Sequence, residues 1–266
     1  MSARGTVVSR HLGVWAAVVG QGVRRDLQFR SQAWTSLLTS VAELALGMVP
    51  VLLLTTSSAV DDPTAVARGL VLVGFFGMTT GVMDCLVTPN LRGFDAAVRR
   101  GDLDLVLVRP VLAPAYCFLR RVEPAEGGRA VAGLGLVTAG LSQLAPDTVV
   151  ENLFTAALLA LLGVVAFSLC WANLAMLSLW VDGAEPVNDV AAQLRTAGQY
   201  PLGAFPAWAR LGLLTVVPAA LLSSHPAGVL EGAQPLSGAL AVVVALVATV
   251  TALHWRAAVA RYSSAS

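Results

Sequence analysis

The sequence predicts an all-α integral membrane protein with six spanning helices and an N-terminal helix lying along the membrane surface. Three observations predict it. The chain of 266 residues is 56% hydrophobic and only 12% charged, against roughly 25% charged in soluble domains. Its apolar runs reach the ~20 residues that a helix needs to cross a bilayer. Its arginines segregate into alternate loops, as cytoplasmic loops of membrane proteins do.

Two regions are expected: a surface segment, 1–32, and a transmembrane domain, 33–266. In the first, Val8, Leu12, Trp15, Val19, Val23 and Leu27 recur at helical spacing, with Arg10, Gln21, Arg24 and Gln28 largely off that stripe. Such a helix lies in the interface plane. The competing reading is an uncleaved signal-like segment. The first span covers Ala33 to Thr56, followed by a turn with Asp61, Asp62 and Pro63, and the second covers Val66 to Val87. A polar inner loop, 89–128, follows. The third span, from Arg129 to Leu144, is short and rich in Gly and Ala. After the turn Ala145–Glu151 comes a long fourth span, Leu153 to Val181. A second inner segment, 182–200, is expected to be helical. The fifth span runs from Leu202 to Leu222 with Pro206 and Pro218 inside it, then a turn, Ser223–Pro235, then the sixth span, Leu236 to Trp255.

With both termini on the cytoplasmic side, 16 of the 17 arginines fall inside and only Arg68 falls outside. The outer turns carry Asp61, Asp62, Asp147, Glu151 and Glu231 instead. One span more or fewer would flip every later loop and destroy the agreement. Trp171, Trp180, Trp208 and Trp255 lie at or near proposed span ends, where aromatic anchors belong.

Several functions are excluded. All basic residues are Arg, and a P-loop needs Lys to reach the phosphates, so the chain carries no standard ATPase site and any ATP chemistry belongs to a partner. Cys85, Cys117 and Cys170 are isolated and His11, His225 and His254 scattered, so no catalytic or metal constellation is visible. No cofactor is expected in this chain.

The informative stretch is Asn90–Pro110. A short helix over Phe94–Arg100 ends with Arg99 and Arg100 at its negative C-terminus and Gly101 as left-handed cap. Leu103–Val108 follows and stops at Pro110. An Arg-rich helix on the inner side suits docking to a soluble partner, and equally suits a solvated loop with none. Glu43 lies near the middle of the first span. An intramembrane carboxylate faces a cavity or a partner, so Glu43 is a candidate for the translocation path or a dimer interface, or else forms a structural hydrogen bond. Asp84, near the inner end of the second span, is expected to pair with Arg92 or another loop arginine. Gly77 and Gly81 form a GxxxG pattern that lets helices approach closely, either inside the chain or at a dimer face.

The run Arg99-Arg-Gly-Asp-Leu-Asp-Leu-Val-Leu-Val-Arg-Pro110 resembles the hallmark of a permease family in the ABC-2 group of ABC transporters: a basic residue, Gly, any residue, Leu, Asp, a few apolar residues, then Arg-Pro. Tyr200-Pro201-Leu202 with Phe205-Pro206, Pro218, His225-Pro226-Ala227 and the ending Trp255-Arg256…Arg261-Tyr262-Ser263 resemble the same family. The resemblance implies an ABC-2 type fold and the membrane subunit of a bacterial ABC exporter, multi-pass in the cytoplasmic membrane. It pairs with an identical or paralogous permease and sits on two ATP-binding subunits, which bind ATP and Mg. The coupling residues it implies are Phe94, Arg99, Arg100, Gly101, Asp104, Arg109 and Pro110. A small hydrophobic or drug-like cargo is the accompanying expectation. The alternative is an ATP-independent secondary carrier, which often shows internal repeats; no repeat is visible here. An intramembrane enzyme and a membrane scaffold are further classes, and no catalytic cluster at membrane depth supports the former.

Overall fold

The computed structural model describes residues 15, 17–26, 28, 30–58, 64–108, 112–144, 146–181, 186–234 and 237–262. Among them secondary structure is entirely helical. Helix α1 covers residues 17–26. It is followed by α2 (Arg30–Ser58), α3 (Ala65–Leu86), α4 (Thr88–Arg92), α5 (Phe94–Arg99), α6 (Asp102–Leu107), α7 (Ala113–Leu119), α8 (Gly128–Leu141), α9 (Pro146–Ala175), α10 (Pro186–Ala197), α11 (Ala207–Thr215), α12 (Ser224–Leu230) and α13 (Ser237–Arg261). Four of these, α2, α3, α9 with its 3-10 extension and α13, are long and apolar enough to cross a bilayer. They match the expected spans one, two, four and six.

Helix α3 is the centre of the bundle. Two-thirds of its apolar window is buried, against 6% for that of α13. Its neighbour α8 is only 14 residues long, or about 21 Å, against a hydrocarbon core of about 30 Å. The shortness is offset by intimacy. A side chain on Gly74 would stand 2.6 Å from the backbone nitrogen of Val137, and one on Gly77 would stand 3.2 Å from Cα of Gly133. Gly81 meets Ala130, and Gly140 meets Val71. The two helices therefore run antiparallel with backbones in contact, which small residues alone permit. The GxxxG face of Gly77 and Gly81 is filled by α8 and by Leu44 of α2. Of the two readings of those glycines, packing inside the chain is the one this arrangement fits. Gly133→Val is expected to destabilise the protein by about 1–3 kcal/mol, visible as a lower melting temperature in detergent, because the new side chain would overlap the backbone of α3.

The expected fifth span, Leu202–Leu222, is not one helix. The chain forms a 3-10 turn (Leu202–Ala204), then α11, a second 3-10 turn (Ala219–Leu222) and α12. Pro206 caps the start of α11 in extended conformation, and Pro218 stands just before the second turn. Neither has an N–H to continue a helix. The expected turn Ser223–Pro235 is largely α12. Broken backbone at membrane depth survives only inside protein with its polar groups satisfied. Residues Ala219–Leu222 are accordingly buried. Thr79 of α3 donates to the Leu222 carbonyl at 2.8 Å, Ser224 donates to that of Tyr200 at 2.9 Å, and Ser223 donates to that of Gly198. The chain leaves the middle of the bundle at Tyr200, folds through α11, and returns to the same depth at Ser224. From there α12 carries it to Glu231, which pairs with Arg68 at 3.4 Å. The one arginine assigned to the outer side thus meets an acid assigned to the same side.

Candidate coupling segment and polar cavity

The loop between α3 and α8 folds as a compact array rather than a solvated strand. Pro89 stands at the start of α4, and Gly101, at φ 73°, makes the reversal between α5 and α6. That left-handed conformation favours Gly. Arg99 lies in the last turn of α5, and Asp102 and Asp104 lie in the first turn of α6. Both placements complement the helix dipole. The inner faces of α5 and α6 are apolar: Phe94, Val98, Leu103 and Val106 are buried in one cluster with Cys117 of α7, Phe167 and Trp171 of α9, and Ala191 of α10. Burial pushes the Cys117 thiol up to about 11, so it behaves as a small hydrophobe.

Aromatic and polar ties fix the array to the spans. Phe94 meets Phe118 of α7 at 5.2 Å between ring centres, and Phe118 meets Trp255 of α13 edge-on at 5.9 Å. The return of the loop is pinned by Asn90. Its amide donates to the carbonyls of Leu86 and Arg121 at 2.9 and 2.8 Å, and its oxygen accepts from the Arg121 N–H at 2.8 Å. Tyr262, just past α13, packs on the same cluster. Burial raises its phenol pKa, and the neighbouring Asp104 carboxylate raises it further. The loop motif and the tail motif, 158 positions apart in sequence, therefore meet in space.

Of the residues expected to couple, Phe94 is buried and serves as an anchor. Arg99 reaches back to the buried Asp95 at 2.7 Å and keeps 44% of its side chain exposed; Arg100 pairs with Asp102 at 2.9 Å and keeps 60% exposed. Gly101 is the reversal and Asp104 faces the tail. Arg109 and Pro110 lie outside the described residues. Beside the arginines, Leu105 and Val108 stand exposed. The outer face thus combines cationic and apolar groups on a support packed into the cluster that α9 and α13 share.

A polar cavity of about 520 Å³ opens where α2, α3, α8 and α10 converge. Arg129, in the first turn of α8, is its hub. It reaches Glu43 at 3.3 Å and Asp84 at 3.7 Å, and Asp84 also binds Arg195 of α10 at 2.5 Å. Thr88 donates to Asp84 at 2.8 Å. Asp84, Arg129 and Arg195 are 12–13% exposed, whereas Glu43 is 58% exposed. A cation at a helix N-terminus is disfavoured by the dipole; here two carboxylates offset it. Of the partners expected for Asp84, Arg92 only lines the cavity, and the pairing is made by two other arginines of the inner segments, Arg129 and Arg195. On the facing wall Ser36 donates to Glu126 at 2.5 Å. Arg25 of α1 donates to the Val122 carbonyl at 3.3 Å, and Asp26 accepts from Ala125 N–H at 2.8 Å, which docks α1 on the same loop.

Four of these positions were not legible beforehand. Asn90, Phe118, Arg129 and Arg195 act through partners 31 to 137 positions away, and no local spacing announces such pairs. Trp171 corrects an expectation in the other direction. It is 1% exposed, and its indole N–H donates to Asn188 at 3.1 Å, so it is a core residue and not an interfacial anchor.

Among known proteins, a family model described as ABC-2 family transporter protein matches residues 66–266. The match begins at the start of α3 and includes the loop array, the broken segment and α13. No curated protein and no solved structure matches the chain. With a membrane-type helical bundle, both family motifs in place and three-quarters of the sequence matched, the chain belongs to the ABC-2 family of transporter proteins.

Proposed function

We propose that this chain is the permease subunit of an ATP-driven exporter and that the α5–α6 turn grips a separate ATP-binding subunit. The observation that carries this reading is the exposed Arg99, Arg100, Leu105 and Val108 on helices whose other face is locked into the core. A push there reaches α9 and α10 because close-packed interiors transmit displacement. Six crossings complete the architecture, with α8 as the third and the broken segment 202–230 as the fifth. The antiparallel run of α8 along α3 and the Arg68–Glu231 pair support this count. The arginine-rich end faces the cytoplasm of a bacterial cell, and α1 lies in that interface with Val19 and Val23 toward the acyl chains. Two ATPase copies and a second permease, identical or paralogous, complete the assembly. Its cargo is a small hydrophobic or drug-like molecule, moved by alternating access.

The broken segment is the one feature that a secondary carrier would share. The carbonyls of Leu222 in it, and of Gly198 and Tyr200 just before it, accept from Thr79, Ser223 and Ser224; these three are committed to the fold, which favours the ATP-driven reading. Co-expression with an ATPase encoded beside the gene, purification and a subunit count test the proposal. A complex of two ATPases with two permeases is expected, and transport in vesicles should stop without ATP. Transport by this chain alone, driven by an ion gradient, would overturn it.

A further inference from the structure

A second cavity, of about 550 Å³, lies between α9 and α13 and is closed on the loop side by α4 and α7. Its walls are Leu91, Phe118, Val164, Leu169, Ala252 and Trp255. The two hydroxyls that line it are already committed. Ser168 donates to the Val164 carbonyl at 2.6 Å. Thr251 donates to that of Val247 at 2.7 Å and accepts from Asn173 at 2.7 Å. What remains is an apolar slot with one charged group at its rim, Arg256, which is exposed and has no carboxylate partner among the described residues. The helix that carries it is long and apolar enough to span a bilayer and barely buried.

We infer that this groove holds an anionic phospholipid, with an acyl chain in the slot and its phosphate on Arg256. A lone guanidinium beside hydrocarbon selects a phosphate with no ammonium attached, and Trp255 sits where an amphipathic ring meets the headgroup level. A second copy of the chain fits less well, because Asp84, the buried carboxylate at the corresponding end of its spans, is held by Arg129 and Arg195. The lipid also touches the coupling array. Phe118 forms part of the groove wall and sits between Phe94 and Trp255, tilted to the first and edge-on to the second, so an occupied slot props the aromatic ladder that carries α5. This inference concerns lipid binding and does not rest on the export reading.

Native mass spectrometry of the full chain in detergent, titrated with phosphatidylglycerol or with phosphatidylcholine of the same acyl chains, tests it. The wild type should retain the anionic lipid about fivefold better, the effect of one interfacial cation. Arg256→Gln should erase that preference, Arg256→Lys should keep most of it, and Arg210→Gln, on exposed α11, should leave it unchanged. Ala252→Trp, which fills the slot, should lower retention of both lipids. An undiminished preference in Arg256→Gln would overturn the inference even if the filled variant fails to fold. So would disulfide crosslinking between two copies carrying Ala252→Cys.

Discussion

Arg99→Glu combined with Arg100→Glu is expected to reduce co-purification of the ATP-binding subunit at least tenfold and to abolish its stimulation by the permease. Both side chains project from a turn whose backbone is set by Gly101 and whose far side is anchored by Phe94 and Leu103, so the substitution acts first on the proposed docking face. Reversing a charge at a complementary interface costs several kcal/mol, far above the 1.4 kcal/mol that corresponds to tenfold. Arg99 has a second tie, to the buried Asp95, and Arg99→Glu would place two acids side by side. Arg100→Glu alone is therefore the cleaner control, because among the described residues Arg100 pairs with Asp102 at the surface. Pull-down yield and ATPase rate measured on both variants decide the matter. Unchanged coupling in the pair would move the docking site elsewhere.

Removing the carboxylate of Asp84 should be the most damaging single change in the polar cavity. Among the described residues, Asp84→Ala leaves Arg195 without an ion-pair partner and Arg129 with the mostly exposed Glu43. Breaking a buried ion pair by deleting one partner costs about 3–5 kcal/mol, because a charge is left behind in low dielectric. The measurement is melting temperature and detergent yield. Glu43→Gln should cost under about 1 kcal/mol, since its carboxylate is mostly exposed and such pairs contribute little. If the buried charges are the cause, Asp84→Ala with Arg195→Met should recover part of the loss, as interacting sites are not additive. Equal stability of Asp84→Ala and wild type would show that α10 is held by packing alone, through Trp171 and the apolar face of Ala191.

The bundle was legible because spanning helices are written in composition. The four long helices α2, α3, α9 and α13 follow directly from apolar length, and the helix before Gly101 follows from local cap chemistry. The GxxxG pattern was legible as packing, but which helix fills it was not: α8 is recognisable only as a short Gly- and Ala-rich run, and its partner is decided by shape. The fifth span was misjudged for a related reason. Pro206 and Pro218 signal a kink, but whether a kinked span remains a rod depends on whether the bundle can hold a broken backbone, here through Thr79 on the Leu222 carbonyl and Ser223 and Ser224 on those of Gly198 and Tyr200, and those hydroxyls find their carbonyls only in the folded bundle.

By itself the sequence determined the environment, the positions of the long helices, the end of the bundle where arginine collects, and the charged loop between the second and third apolar runs. Those properties depend on residue type and on spacing along the chain, which a bilayer reads locally. Only the tertiary structure decided which of the inner arginines hold Asp84, namely Arg129 and Arg195, that Tyr262 lies against Asp104, and that Trp171 is core. Each of these joins residues dozens of positions apart, where charge and shape are matched in space and leave no periodic trace in the order of the amino acids.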